Sequence, residues 1–181
     1  MTQLRRPRPN NTPAERPPPR PGTYALLLRP QQHTTLEVGR MGTFRLQAGL
    51  YVYVGSARGP GGLRARLDRH TRDDKRPHWH IDAFTHECRV EGVCWVVDTE
   101  RLECAWVQSL LKLAGSVAPI PGFGSSDCPS RCPAHLVEMA GNFGISQVEG
   151  AMVVRRPHSY TIAAQGGLLE DQIHTESVLF L

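Results

Sequence analysis

The chain has 181 residues, 40% hydrophobic and 21% charged, which suits one ordinary domain with a single core. Its formal net charge of +4 is uneven: residues 1–21 and 58–76 each sum to +4, while residues 77–181 sum to −6. No apolar run reaches the length of a membrane span and no signal-like apolar segment opens the sequence, so a membrane partner is excluded and a cytoplasmic protein is expected. Five cysteines, an odd and mostly scattered set, exclude a disulfide framework and point to reduced thiols.

Residues 1–21 are rich in Pro and Arg with almost nothing to bury, so disorder is expected there. Seven prolines forbid the amphipathic helix of a transit peptide. The domain is expected to run from Gly22 to Met139. Tyr24 to Leu28 reads as a buried strand and Thr35 to Val38 as its hairpin partner. Thr43 to Leu46 is a further short strand, leading to one at Leu50 to Val54, where Tyr51 and Tyr53 alternate with Val52 and Val54.

Gly55 ends that strand, and Gly59 to Gly62 form a loop delivering the chain to a helix near Leu63. On this helix Leu63 and Leu67 face inward, while Arg66, Arg69 and His70 share another face. Positive charge gathered in the tail and in one strand–helix unit suggests a polyanion, with nucleic acid the first candidate and a solvated basic face the equal alternative.

His78 to Phe84 is ambiguous between helix and strand, and Val90 to Val97 reads as a strand. Asp98 or Thr99 is expected to cap a helix reaching about Ala114. Leu102, Trp106, Val107 and Leu110 lie in its broad apolar arc, and Glu103 falls inside that arc, roughly 40° from the centre. A carboxylate there has to be paired, protonated or bound to a metal, because an isolated buried charge costs too much. Cys128, Cys132 and His135 offer three zinc-compatible ligands with no adjacent fourth; Cys104 or a distant histidine would have to complete the set. Residues 140–181 show no periodic apolar face and are expected to be loosely attached or disordered.

Gly22-Thr23-Tyr24, Tyr53-Val54-Gly55, Arg66 and Glu103 occur in the order of the elements of the GIY-YIG nuclease superfamily, which the chain resembles over about residues 22 to 139. Tyr-Val-Gly-Ser-Ala followed by Arg66-x-x-Arg69-His70 is similar to the homing-endonuclease form of the motif. His78-Trp79-His80-Ile81-Asp82, Glu103-Cys104 and Gly-Phe-Gly-Ser-Ser-Asp-Cys resemble the Uri-type branch. The resemblance implies an α+β domain with a small central antiparallel sheet flanked by helices. One departure is the separation of 29 positions between Tyr24 and Tyr53, which calls for an extra turn or strand pair between them.

It also implies a metal-dependent endonuclease acting on DNA. Glu103 would hold Mg²⁺ or Mn²⁺, Arg66 would stabilise charge on the phosphate, and Tyr24 or Tyr53 would position or deprotonate water. His70, His78 and His80 are candidates for proton transfer or phosphate contact, and Gly55, Ser56, Arg58 and Arg69 for substrate binding. Each has a structural alternative: sheet packing for the tyrosines, pairing with Asp73 or Asp74 for Arg66, and an ion pair with Arg101 or a histidine for Glu103. A noncatalytic nucleic-acid-binding module and a zinc-stabilised interaction domain are the rival readings.

Overall fold

A computed structural model describes residues 16–152 apart from 73, 89 and 142, together with the backbone of residues 158–161. Its centre is strand β1 (Gly22–Leu28), buried along its whole length. A strand covered on both faces needs no polar alternation, which is why its sequence is continuously apolar after Tyr24. Both edges of β1 are occupied by antiparallel neighbours, β4 (Leu50–Ala57) and β5 (Val90–Val97). With β6 (Leu136–Met139) and β7 (His158–Thr161) these form a five-stranded antiparallel sheet in the order β6-β4-β1-β5-β7.

The remaining strands, β2 (Thr34–Val38) and β3 (Gly42–Leu46), form a separate two-stranded ribbon. The expected pairing of β1 with Thr35–Val38 is therefore corrected, for β1 has no free edge left. The ribbon is the strand pair that the long Tyr24–Tyr53 separation required. It packs Leu36, Val38 and Leu46 into the core.

Helices cover both faces, as the period-two alternation of the strands dictates. On one face Tyr24, Leu26, Tyr51 and Tyr53 meet Leu63 and Leu67 of α1 (Gly62–His70) and Ile81 and Phe84 of α2 (His80–Glu87). On the other, Ala25, Leu27, Val52 and Val54 meet Trp106, Val107 and Leu110 of α3 (Glu103–Leu111). Each of these larger side chains contributes about 1.5–3 kcal/mol by leaving water. The α+β class with an antiparallel sheet flanked by helices is thus observed.

Several boundaries differ from expectation, beginning with β4, which does not end at Gly55 but runs on to Ala57, because Gly55, Ser56 and Ala57 still pair with Tyr24, Thr23 and Gly22. The third helix starts at Glu103 rather than near Asp98, whose Oδ1 instead accepts the Glu100 N–H within a turn. Residues 16–21 are attached to the domain. Pro17 is buried, and the carbonyls of Arg20 and Pro18 accept the Leu63 and Arg64 N–H groups at 2.9 and 3.1 Å. These acceptors satisfy amides at the first turn of α1 that no side chain caps. Residues 1–15 lie outside the described set.

Beyond residue 139, α4 (Ile145–Ala151) places Val148 in the second core, joined by Met152, and β7 pairs with β5. A helix of seven residues with one core side chain leaves no periodic signal in the sequence. Residues 162–181 lie outside the described set. No helix among the described residues is long and apolar enough to cross a membrane.

Candidate active site

Pairing of β1 with β4 sets Tyr24 directly opposite Gly55, and a Cβ at Gly55 would stand 2.5 Å from the Tyr24 hydroxyl oxygen. Glycine is required there because the phenol fills the space a side chain would take. The Tyr24 and Tyr53 rings come together with centroids 6.5 Å apart. Tyr53 is packed edge-on by Phe123, and a Cβ at Gly124 would lie 2.8 Å from its ring.

Tyr24 Oη lies 2.7 Å from His70 Nε2, both side chains being buried. Burial, aided by Tyr53, pushes the Tyr24 phenol well above its usual value, and the Arg66 guanidinium pulls the other way. Tyr53 is raised to about 12 by burial, again opposed by Arg66. Burial also lowers His70 to about 3, against the attraction of Asp82, so the imidazole is neutral. Its Nδ1 is buried without a partner. A proton on Nε2 avoids burying an unpaired N–H, so the favoured tautomer has His70 donating to the Tyr24 oxygen.

The basic face of α1 divides its labour. Arg66 lies 4.0 Å and Arg69 4.2 Å from the Trp79 ring centroid, two cation–π contacts on one indole. Arg69 is bidentate to Asp82 at 2.7 and 2.9 Å. The Asp82 carboxylate also accepts the His78 and Trp79 N–H groups at the start of α2. Burial would raise Asp82, but the Arg69 and backbone hydrogen bonds prevail and hold it at about 2. Arg66 has no carboxylate partner among the described residues; Asp74 does not pair with it and Asp73 is outside that set.

Glu103 is the first residue of α3 and is buried, with Oε2 lacking any hydrogen-bond partner. The neighbouring Leu102 N–H donates to the Thr23 hydroxyl at 3.3 Å, tying the start of α3 to β1. No ion pair joins Glu103 to Arg101 or to a histidine among the described residues. An orphaned buried carboxylate oxygen beside open space suits a hard cation that keeps most of its water.

Tyr24, Tyr53, Arg66, His70 and Glu103 line one cavity of about 460 Å³, brought there by β1, β4, α1 and α3. Gly55, Ser56, His78 and His80 line it as well, and so does Arg101, expected from the sequence only as a possible ion-pair partner of Glu103. Two substrate-binding assignments are corrected. Arg58 donates to the Asp98 and Glu100 carbonyls, and Arg69 to Asp82 and the Arg76 carbonyl, and neither lines the cavity. Both act as braces. No spacing rule separates them from Arg66, because the difference lies in which carboxylate or carbonyl folds back onto each.

The cavity's far wall is the loop before β6. Its neck is closed by Gly122 N–H to the Pro133 carbonyl at 2.7 Å and His135 N–H to the Phe123 carbonyl at 2.8 Å. His80 Nδ1 accepts the Gly124 N–H at 3.3 Å, linking the loop to α2. Cys104, Cys128, Cys132 and His135 place one ligand atom each within 4.8 Å of one another, a group able to hold a metal ion. Cys104, from α3, is the fourth member that sequence spacing alone left open.

A family model described as a domain of unknown function, DUF123, matches residues 23–153, and the chain belongs to that family. No curated protein and no solved structure gives a significant match.

Proposed function

We propose that this DUF123 member is a metal-dependent endonuclease of the GIY-YIG type, Uri-like in its motifs, that hydrolyses phosphodiester bonds in DNA. The carrying observation is the convergence of Tyr24, Tyr53, Arg66, His70 and Glu103 on one cavity from four separated elements. Arg66, without a competing carboxylate among the described residues and braced on Trp79, donates to the nonbridging phosphate oxygens. Glu103, whose Oε2 has no hydrogen-bond partner, would hold Mg²⁺ or Mn²⁺. When bound, the cation supplies charge neutralisation at the departing oxygen.

Tyr24 receives the proton of the attacking water, and Tyr53 orients that water. Both phenols stay protonated at neutral pH in the resting site, since burial dominates their titration. Additional positive charge beside the phenol, offsetting the anionic phosphate, would therefore have to lower Tyr24 before it serves as a base. His70 orients Tyr24 and stabilises its anionic form by donating from Nε2; its low basicity excludes it as the final proton acceptor.

Incubating the full chain with plasmid and short duplex DNA, with and without Mg²⁺ or Mn²⁺, tests the reading. Metal-dependent cleavage is expected, falling about 10²–10³-fold in Arg66→Ala and strongly in Glu103→Gln. Undiminished cleavage in both variants rejects the site. DNA binding by a parent chain that never cleaves would favour the noncatalytic module.

A further inference from the structure

We propose that Cys104, Cys128, Cys132 and His135 bind one Zn²⁺ as a closed structural site, distinct from the cation at Glu103. A tetrahedral zinc with thiolates at about 2.3 Å and imidazole at about 2.0–2.1 Å has ligand–ligand edges of roughly 3.5–3.8 Å. Here the Cys104 and Cys128 sulfurs are 3.3 Å apart and no pair of the four ligand atoms exceeds 4.8 Å. Adjustments of about an ångström complete the tetrahedron. The same sulfurs are far beyond the roughly 2.05 Å of a disulfide, and all are free thiols.

A cluster of small apolar thiols can also arise from packing alone. The histidine argues against that. His135 is 8% exposed, and its Nε2 is buried with no hydrogen-bond partner, a cost that packing would leave uncompensated and that a site built for metal explains. Three soft sulfur ligands and one imidazole select zinc over Mg²⁺ or Mn²⁺, which prefer oxygen. Four protein ligands leave no open position, so the ion holds structure and does not activate water.

What it holds is the cavity wall. Cys104 belongs to α3 one residue after Glu103, Cys128 and Cys132 sit in the loop, and His135 stands at its neck before β6. Zinc would lock this loop, including the Gly124 that packs on Tyr53, to the helix that presents Glu103. The proposal does not depend on whether the chain cleaves DNA.

Elemental analysis of the full chain, purified under reducing conditions from zinc-supplemented cells, is expected to find one zinc per chain. Substitution with Co²⁺ alone should give the visible bands of tetrahedral cobalt together with thiolate-to-metal charge transfer. Cys132→Ser should lose the metal, His135→Cys should retain it with an altered cobalt spectrum, and Cys94→Ala, outside the cluster, should retain it unchanged. If a variant fails to fold, the cobalt spectrum of the parent decides. A folded parent that takes up neither zinc nor cobalt, or one whose cobalt spectrum lacks thiolate charge transfer, overturns the site, as does zinc held equally by folded Cys104→Ser, Cys132→Ser and His135→Ala.

Discussion

Gly55 and Tyr24 are cross-strand partners whose contact leaves no room for a methyl group, since a Cβ on the glycine would stand 2.5 Å from the phenol oxygen and 2.7 Å from the ring carbon that bears it. Both sides of this contact are main-chain-anchored in the middle of the sheet. Gly55→Ala should therefore cost about 1–3 kcal/mol of stability through overpacking, measured by urea unfolding, and displace Tyr24 from His70. An unchanged unfolding midpoint would show that the phenol has somewhere else to go.

Arg66 and Arg69 lie one turn apart and stack on the same indole, yet their removal should produce opposite phenotypes. Arg69→Ala strands the Asp82 carboxylate, only 1% exposed, and should destabilise the fold by about 3 kcal/mol. Arg66→Ala should leave the melting temperature within about 2 °C and abolish most cleavage. Paired melting and nuclease measurements on the two variants check this, and equal loss of stability in both would refute the division.

Stability should decline as acid is added, in two overlapping stages. His70 has its folded value depressed from 6.5 to about 3, so the unfolded chain binds the extra proton and stability falls from about pH 6.5 downward. Asp82, depressed from 3.8 to about 2, adds a loss of about 2 kcal/mol as pH drops through that lower window. His70→Gln should remove one proton from the slope between about pH 6 and 4, or about 1.4 kcal/mol per pH unit. Chemical denaturation at a series of pH values reads this directly, and a slope identical to the parent's would mean that His70 is already charged.

The proposed role of a buried tyrosine as base predicts its own rate profile. The logarithm of the cleavage rate should climb with unit slope through about pH 6 to 9 without a plateau, because burial keeps both phenols protonated throughout. Tyr24→Phe should flatten the profile and Tyr53→Phe should lower it in parallel. A plateau near pH 7 in the parent would transfer the base's role to a histidine.

The Arg-rich N-terminal segment should separate into two parts on truncation. Removing residues 1–15 deletes three arginines and should reduce the salt slope of DNA binding by about two to three while sparing stability. Removing residues 1–21 also deletes the carbonyls that cap α1 and should cost about 1–3 kcal/mol. Salt titrations and thermal melts of both truncations distinguish the roles, and an unchanged salt slope in the shorter deletion would reject any contact between residues 1–15 and DNA.

The three central sheet strands β1, β4 and β5, the buried face of α1 and the anomalous placement of Glu103 were legible in the sequence, because each is a matter of local periodicity and cost of burial, whereas the four-residue strands β6 and β7 are too short to show a period. The edge partners of β1 were not, since adjacency in the chain favoured Thr35–Val38 while the sheet gave both edges to distant strands. Likewise, the distinction between Arg66 and its braced neighbours Arg58 and Arg69 depends on contacts with residues 13 to 42 positions away. Completion of the cysteine cluster by Cys104 is a third instance, spanning 24 positions.

Thr23 and Tyr24 are consecutive, so the strand must turn them to opposite sides: the phenol goes to the cavity and the hydroxyl to the Leu102 amide at the head of α3. Two jobs on opposite surfaces are thereby fixed by one dihedral alternation. Inserting or deleting a single residue between this pair and the anchored Ala25–Leu28 run would exchange their sides, dislodging the carboxylate-bearing helix and the phenol together. Natural length variation in this domain should therefore collect in the ribbon and the loop before β6, and spare the strand that carries this pair.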